Sequence, residues 1–254
     1  GDRSVLDESI PFIDSPLLHA HEHERYEQPR VSQETASLYE HCVRAIDRGL
    51  QFGPHGLPLM GCGDWNDGMN KVGEGGKGES VWVGWFLLVL LDDFLPLMHE
   101  KQDTDKAEQL KETATQLRAA LEGQTWDGQW YRRAYFDDGT PLGSQENDEC
   151  QIDSLAQTWA VFARANPERS RQGVQSAVDR LVNREAKLVL LFSPPFDHGQ
   201  LAPGYIKGYL PGIRENGGQY THAATWMIQA LAQLGEPQQA MSLFDLINPL
   251  LHTQ

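Results

Sequence analysis

Cysteine is scarce in this chain, and so is positive charge. The three cysteines, Cys42, Cys62 and Cys150, are odd in number, widely spaced and lack any C-x-x-C pattern. That excludes a disulfide framework and a structural zinc site, and it favours a reducing compartment. Cys62 reads as a small packing residue rather than a nucleophile. Lys and Arg total 21 against 36 Asp and Glu, a net charge of -15. Nucleic acid is therefore excluded as a partner, because phosphate backbones require surplus basic residues. An anionic membrane surface is disfavoured for the same reason, whereas a local basic pocket for a small anion is not. Long apolar runs are missing too. The strongest, Val81–Leu91, is short for a bilayer and ends in Asp92-Asp93. No basic-apolar-small signal pattern opens the sequence.

What is present suits a globular enzyme-sized domain: 254 residues, 40% hydrophobic and 22% charged. The first thirty residues read as an extended lead-in. A helix is expected over 34–50, with Leu38, Cys42, Val43 and Ile46 on one face and Ser32 as its N-cap. A long helix follows from about Glu79 to Glu100. Its first half is apolar nearly all round, and Pro96 is expected to end or kink it. An amphipathic helix begins at Thr104. "WYRRAYFDDGTPLG" alternates and turns at Asp138-Gly139, the pattern of a short hairpin. Helices are expected after Cys150, after Pro167, after Thr221 and after Glu236, with a short extended segment at Lys187–Phe196. The fold class is all-α (mainly α). Helices paired in sequence, with long decorated loops at one end, suit a helical toroid better than a compact bundle. Loops this long inside a domain are usually functional.

Two loops carry the chemistry. "GDWNDG" sets Asp64 and Asp67 three apart, with Trp65 and Asn66 between them. An indole face can support the apolar side of a sugar ring, and Asn and Asp direct hydrogen bonds at hydroxyls. A carboxyl desolvated against an aromatic surface can stay protonated, as a general acid on a glycosidic oxygen must. An Asx-turn is the plainer alternative. A calcium loop lacks its alternating oxygens, so no metal site is expected. The second loop, "GYIKGYLPGIRENGGQYTHAATW", crowds Tyr205, Lys207, Tyr209, Arg214, Glu215, Asn216, Gln219 and His222 among glycines. Arg214 and His222 suit an anion, and His222 falls where a helix begins. The plainer alternative is Thr221 as a helix cap, with Arg214–Glu215 as a surface ion pair.

A third segment, "GEGGKGESVW", holds Lys77 with Lys71 upstream. The Walker spacing fails because Gly78 follows Lys77. Lys77 either aims at an anion near the next helix or precedes a plain helix start at Glu79-Ser80. "SQENDECQIDSLAQTWA" places Glu146, Asn147, Asp148, Glu149 and Asp153 ahead of a helix, where acids suit its dipole.

Taken together, "GLPLMGCGDWNDGMN", "GKGESVWVGWF", "GSQENDECQIDSLAQTWA" and "YLPGIRENGGQYTHAATW" resemble the inverting glycoside phosphorylases of glycoside hydrolase family 94. The resemblance runs through essentially the whole chain. It implies part of an (α/α)6 barrel over 1–254, with short hairpins and long active-site loops. The family's N-terminal β-sandwich, early barrel segment and C-terminal end are not expected within it. It implies Asp67 as the catalytic general acid and Asp64, Trp65, Asn66, Tyr209, Arg214, Glu215 and Gln219 as substrate contacts. His222, Lys77 and Lys71 would bind phosphate, with the spacing of the two lysines departing from the family pattern. There is no cofactor, and inorganic phosphate is the co-substrate. The implied reaction is phosphorolysis of β-1,2-linked glucan, or its reverse, through α-glucose 1-phosphate. The implied partners are a β-glucan oligosaccharide and phosphate, with a homodimer or the remainder of a larger synthase. The implied location is cytoplasmic, or a cytoplasmic domain of an inner-membrane protein. Two rivals remain: an inverting glycosidase with Glu215 as base, and a non-catalytic glucan-binding or chain-length-control module.

Overall fold

The computed structural model describes residues 2–19, 22 and 25–252. The chain forms two compact units, Gly1–Gln51 and Phe52–Gln254. In the first, a 3-10 turn at Ser4–Asp7 leads into β1 (Ser9–Asp14). β1 pairs antiparallel with β2 (Arg30–Ser37), and α1 (Leu38–Gly49) follows. The extended lead-in supplies the strand β1, and residues 1, 20, 21, 23 and 24 of it lie outside the described residues. The N-cap is Ser37, whose hydroxyl accepts the Glu40 N–H at 3.2 Å, and not Ser32. The reason is pairing: Thr35, Ala36 and Ser37 lie opposite Pro11, Ile10 and Ser9. Helical dihedrals therefore begin only at Leu38.

The second unit begins with the loop over 52–78, and β3 (Glu79–Ser80) then runs straight into α2 (Val81–Glu100). The Ser80 hydroxyl caps α2 by accepting the Val83 N–H at 3.0 Å. α3 (Thr104–Gln124) returns beside α2. Pro96 does not end α2. The carbonyl it leaves unbonded belongs to Asp92, whose side chain is 44% exposed, so water can replace the lost bond. Among the described residues α2 is the one helix long and apolar enough to cross a membrane. Here it is an interior helix, with Trp85, Leu88, Leu91 and Met98 at 0% exposure.

The expected hairpin is β4 (Ala134–Tyr135) with β5 (Pro141–Leu142), and β3 completes a small sheet on β4. β6 (Ile152–Asp153) leads into α4 (Ser154–Phe162), then α5 (Pro167–Leu181). β7 (Val182–Asn183) pairs with β8 (Leu188–Val189), and β9 (Phe192–Ser193) pairs with β6. After the second long loop come α6 (Thr221–Gln233), α7 (Pro237–Ile247) and α8 (Pro249–His252).

The helices pack as hairpins: α2 on α3, α4 on α5, α6 on α7. The leading helices also touch in turn, α2 on α4 and α4 on α6. Leading helices are the more apolar, and the returning helices α3 and α5 turn charged faces outward. One core cluster joins Val174, Leu181, Met227, Leu231 and Leu243 between the last two hairpins. A second sits under the loops, where Met60, Met69 and Val72 meet Phe192, Phe196 and Ile206. The loops thus stand on a packed base at the N-terminal ends of the leading helices.

Candidate active site

The acid loop is anchored from below. Asp64 and Arg133 form a bidentate pair, with Nη1 to Oδ2 and Nη2 to Oδ1 both at 2.7 Å and both side chains at 0% exposure. The Ser80 hydroxyl adds a 2.6 Å bond to Asp64 Oδ2, and the Asn66 N–H reaches Oδ1 at 3.0 Å. Burial alone would raise the Asp64 carboxyl. The Arg133 charge and these hydrogen bonds outweigh burial and hold it below the usual carboxylate range. Its oxygens are consumed inside the protein. The structure therefore gives Asp64 a loop-holding role, not the sugar contact expected from the sequence. Asn66 is also buried, and its Oδ1 accepts the Gly68 N–H at 3.1 Å to start a 3-10 turn over Asp67–Met69.

Asp67 contrasts with both. It is exposed, and its carboxylate makes no hydrogen bond or ion pair among the described residues. The turn that presents it rests on a second 3-10 turn, Tyr205–Gly208. Asn70 Oδ1 accepts the Tyr205 N–H at 3.1 Å, and the Lys71 N–H reaches Pro203 O at 3.0 Å. Contact is closest at Gly204, φ +128°, where a Cβ would stand 2.2 Å from Asn70 Oδ1 and 2.6 Å from Gly68 O.

Trp65 points to the other long loop. Its indole N–H donates to His222 Nδ1 at 3.2 Å, and its ring meets Tyr220 edge-on at 4.8 Å and Trp226 at 5.9 Å. Trp226, Trp82, Trp159 and Phe86 extend this aromatic wall along α2, α4 and α6. His222 is the second residue of α6. The N-cap is Tyr220, not the Thr221 of the plainer alternative, and it makes no side-chain bond to the helix amides. The helix start is left open to an anion.

Tyr209 carries the Arg214 guanidinium over its ring at 4.6 Å, and Arg214 Nε faces Glu215 Oε2 at 3.4 Å. Arg214 is exposed, at a left-handed φ of +51°, while Glu215 is 16% exposed. Gln219 uses its Oε1 to accept the Val189 N–H at 2.9 Å, so that oxygen serves the loop's attachment rather than a ligand. Lys77 is exposed, but the amides around it are occupied. The Gly75, Lys77 and Gly78 N–H groups all converge on the Asp137 carboxylate at 2.7–2.8 Å. A carboxylate thus already fills the place a phosphate would take in a Walker loop. Lys71 lines a cleft of about 540 Å³ with Asn70, Gln200 and Tyr205; His222 and Asp67 are not on its walls. Among the described residues no hydrogen bond, ion pair or shared cleft joins either lysine to His222. Cys62, read as a packing residue, is exposed; Cys150 is buried.

Sequence reasoning missed Arg133, and it gave no holding role to the other side chains that fasten the site. Arg133 also faces Asp153 Oδ2 at 3.3 Å, joining the acid loop to the N-cap of α4. Burial pushes the Asp153 carboxyl up to about 6, against the pull of Arg133. Glu149 accepts the Asp197 and Gly199 N–H groups at 2.6 Å and pairs with Lys207 at 3.3 Å. Burial would raise its carboxyl, but those bonds hold it below the usual range. Asn216, fully buried, bonds Phe196 N–H and O and Tyr209 O. Glu79 binds the His55 ring and the His55 and Leu57 N–H groups. Strand alternation gave no signal at Arg133, which precedes β4 in a segment buried on both faces, from Trp130 and Tyr131 to Ala134 and Tyr135. Among the described residues no cluster of His, Cys, Asp and Glu is fit to hold a metal ion.

The turn that bears Asp67, the aromatic wall and the start of α6 with His222 make up the candidate site. The chain belongs to the glycosyl hydrolase 94 superfamily, whose catalytic-domain model matches residues 1–254. It is 46% identical over 254 residues to the cyclic beta-(1,2)-glucan synthase NdvB of Rhizobium meliloti, covering 99% of this chain and 9% of that protein. It is 33% identical over 252 residues to the solabiose phosphorylase of Paenibacillus borealis, covering 98% and 30%. A 3-O-beta-D-glucopyranosyl-beta-D-glucuronide phosphorylase of the same organism is 37% identical over 203 residues, covering 79% and 26%. The chain thus spans less than a third of the length of these relatives.

Proposed function

We propose that this chain forms the acid-bearing and phosphate-bearing part of an inverting glycoside phosphorylase centre acting on β-1,2-linked glucan. The observation that carries the reading is the isolation of Asp67. Asp64 and Asn66 beside it are buried and hydrogen-bonded, while Asp67 is exposed and has no side-chain partner among the described residues. Asp67 protonates the glycosidic oxygen as the C1–O bond breaks. A phosphate oxygen attacks C1 from the opposite face, forming α-glucose 1-phosphate and freeing the shortened glucan. Inorganic phosphate replaces the water and protein base of an inverting glycosidase. His222 and the open start of α6 receive the phosphate, and Tyr209 and Arg214 border the acceptor sugar.

Family membership supports the reaction type, and the glucan named for the 46% identical relative supports the linkage. The three hairpins fit half of an (α/α)6 barrel, with α2, α4 and α6 as inner helices. The absence of a disulfide among the three cysteines fits a cytoplasmic placement. The glycosidase reading needs Glu215 as a free base, but Glu215 already faces Arg214.

The test is glucose 1-phosphate release from β-1,2-glucooligosaccharides by the protein carrying this domain, with and without phosphate. Phosphate-dependent release, lost in Asp67→Asn, is the expected result. Glucose release without phosphate would install the hydrolase instead. Glucan binding with no turnover in either form would leave the binding module.

A further inference from the structure

The contact between Trp65 and His222 has a chemical direction. An indole nitrogen can only donate, so His222 Nδ1 must accept, and the proton of the neutral ring sits on Nε2. Nε2 has no partner among the described residues, and His222 is exposed. The ring cannot turn freely. Trp226 packs against it at 4.2 Å and Trp65 at 5.9 Å, centroid to centroid. The outward N–H and the uncapped amides of α6 therefore present donors from the same helix turn. Trp65 thus has two separable resources. Its half-buried ring packs in the aromatic wall, and its N–H is committed to the histidine.

We propose that Trp65 is a positioning residue for the phosphate: it fixes His222 in the Nε2–H tautomer, so the ring meets the anion as a donor. The free imidazole would otherwise divide between two tautomers, and in one of them an acceptor lone pair would face the phosphate. The identity of the anion rests on the phosphorylase reading; the tautomer does not.

Long-range proton–nitrogen NMR of the histidine-labelled protein at about pH 8, where an imidazole is neutral, reads the tautomer directly. The expected spectrum places the His222 proton on Nε2 in the wild type. Trp65→Phe keeps a ring but loses the N–H, and should move that signal towards a tautomer mixture. In turnover, the same variant should raise the KM for phosphate about tenfold, the effect of one lost hydrogen bond. The rise in the KM for phosphate should exceed any accompanying change in the KM for glucan, because a sugar would meet the ring and not its N–H. A wild-type proton on Nδ1, or a tautomer unchanged by Trp65→Phe, overturns the proposal. So does a rise confined to the KM for glucan, which would return Trp65 to the sugar alone. Should Trp65→Phe fail to fold, the wild-type spectrum decides by itself. Wild-type turnover that ignores phosphate would defeat the phosphorylase reading, while the spectrum still judges the tautomer.

Discussion

Arg133 and Asp64 face each other through two parallel 2.7 Å hydrogen bonds with no solvent on either side chain. This pair fastens the loop that displays Asp67. Removing the guanidinium would strand two carboxylates, Asp64 and Asp153, in the interior. Arg133→Met should therefore cost about 3–5 kcal/mol of folding stability, the usual cost of breaking a buried pair. Urea unfolding followed by far-ultraviolet dichroism measures it. A loss below about 1 kcal/mol, the range of exposed pairs, would show that the bidentate contact does not hold the loop.

Asp67 should behave in the opposite way. Being exposed and unpaired, it contributes little to the fold, so Asp67→Asn should unfold within about 0.5 kcal/mol of wild type. Turnover should fall by about 10²–10⁴-fold, the worth of a general acid. Comparing the two measurements on one preparation separates chemistry from damage. A variant that is both stable and active would remove Asp67 from the acid role.

Asp153 predicts a pH dependence with a definite sign. Its carboxyl is raised from 3.8 to about 6 in the folded chain. The folded state then holds the proton more tightly than the unfolded one. The neutral acid stabilises fully below the unfolded value, and that contribution drains away as pH rises from about 4 through 6. Asn mimics the neutral form and still accepts at the N-cap. Relative to wild type, Asp153→Asn should therefore gain melting temperature steadily between pH 4 and 7. Asp64, held low, works in reverse: its contribution is present at neutral pH and drains as pH falls. A melting difference independent of pH would mean that Asp153 does not titrate in this window.

Gly204 tests the seat of the acid turn. A Cβ there would meet Asn70 Oδ1 at 2.2 Å and Gly68 O at 2.6 Å, at φ +128°. Gly204→Ala should cost about 1–3 kcal/mol through strain and forced separation of the two 3-10 turns. Gly208 lies in the same segment, but a Cβ there meets nothing within 4 Å. Gly208→Ala is thus the matched control, and equal losses in both would dissolve the argument.

Helices were legible in the sequence because their apolar periods are strong. Ser80 and the Asp138-Gly139 turn announced their positions by local chemistry alone. The start of α1 was misplaced because pairing with Ser9–Pro11, remote in sequence, overrides a good capping signal at Ser32. The "GDWNDG" segment stood out as a site, but which aspartate faced solvent was not readable from it. That depends on Arg133, 69 residues away. The lysine of "GEGGKGES" misled for a similar reason, since the carboxylate that its loop amides embrace comes from Asp137, 60 residues on. Local patterns identify residue types suited to a task. Long-range partners decide which of them are free to perform it.

Ser80 and Asp153 cap α2 and α4, and both also touch the Asp64–Arg133 pair. Two helix beginnings and the turn that bears Asp67 therefore share a single knot of polar atoms. A disturbance at the start of either helix is therefore transmitted to the turn that bears Asp67, through side chains that do not themselves face solvent.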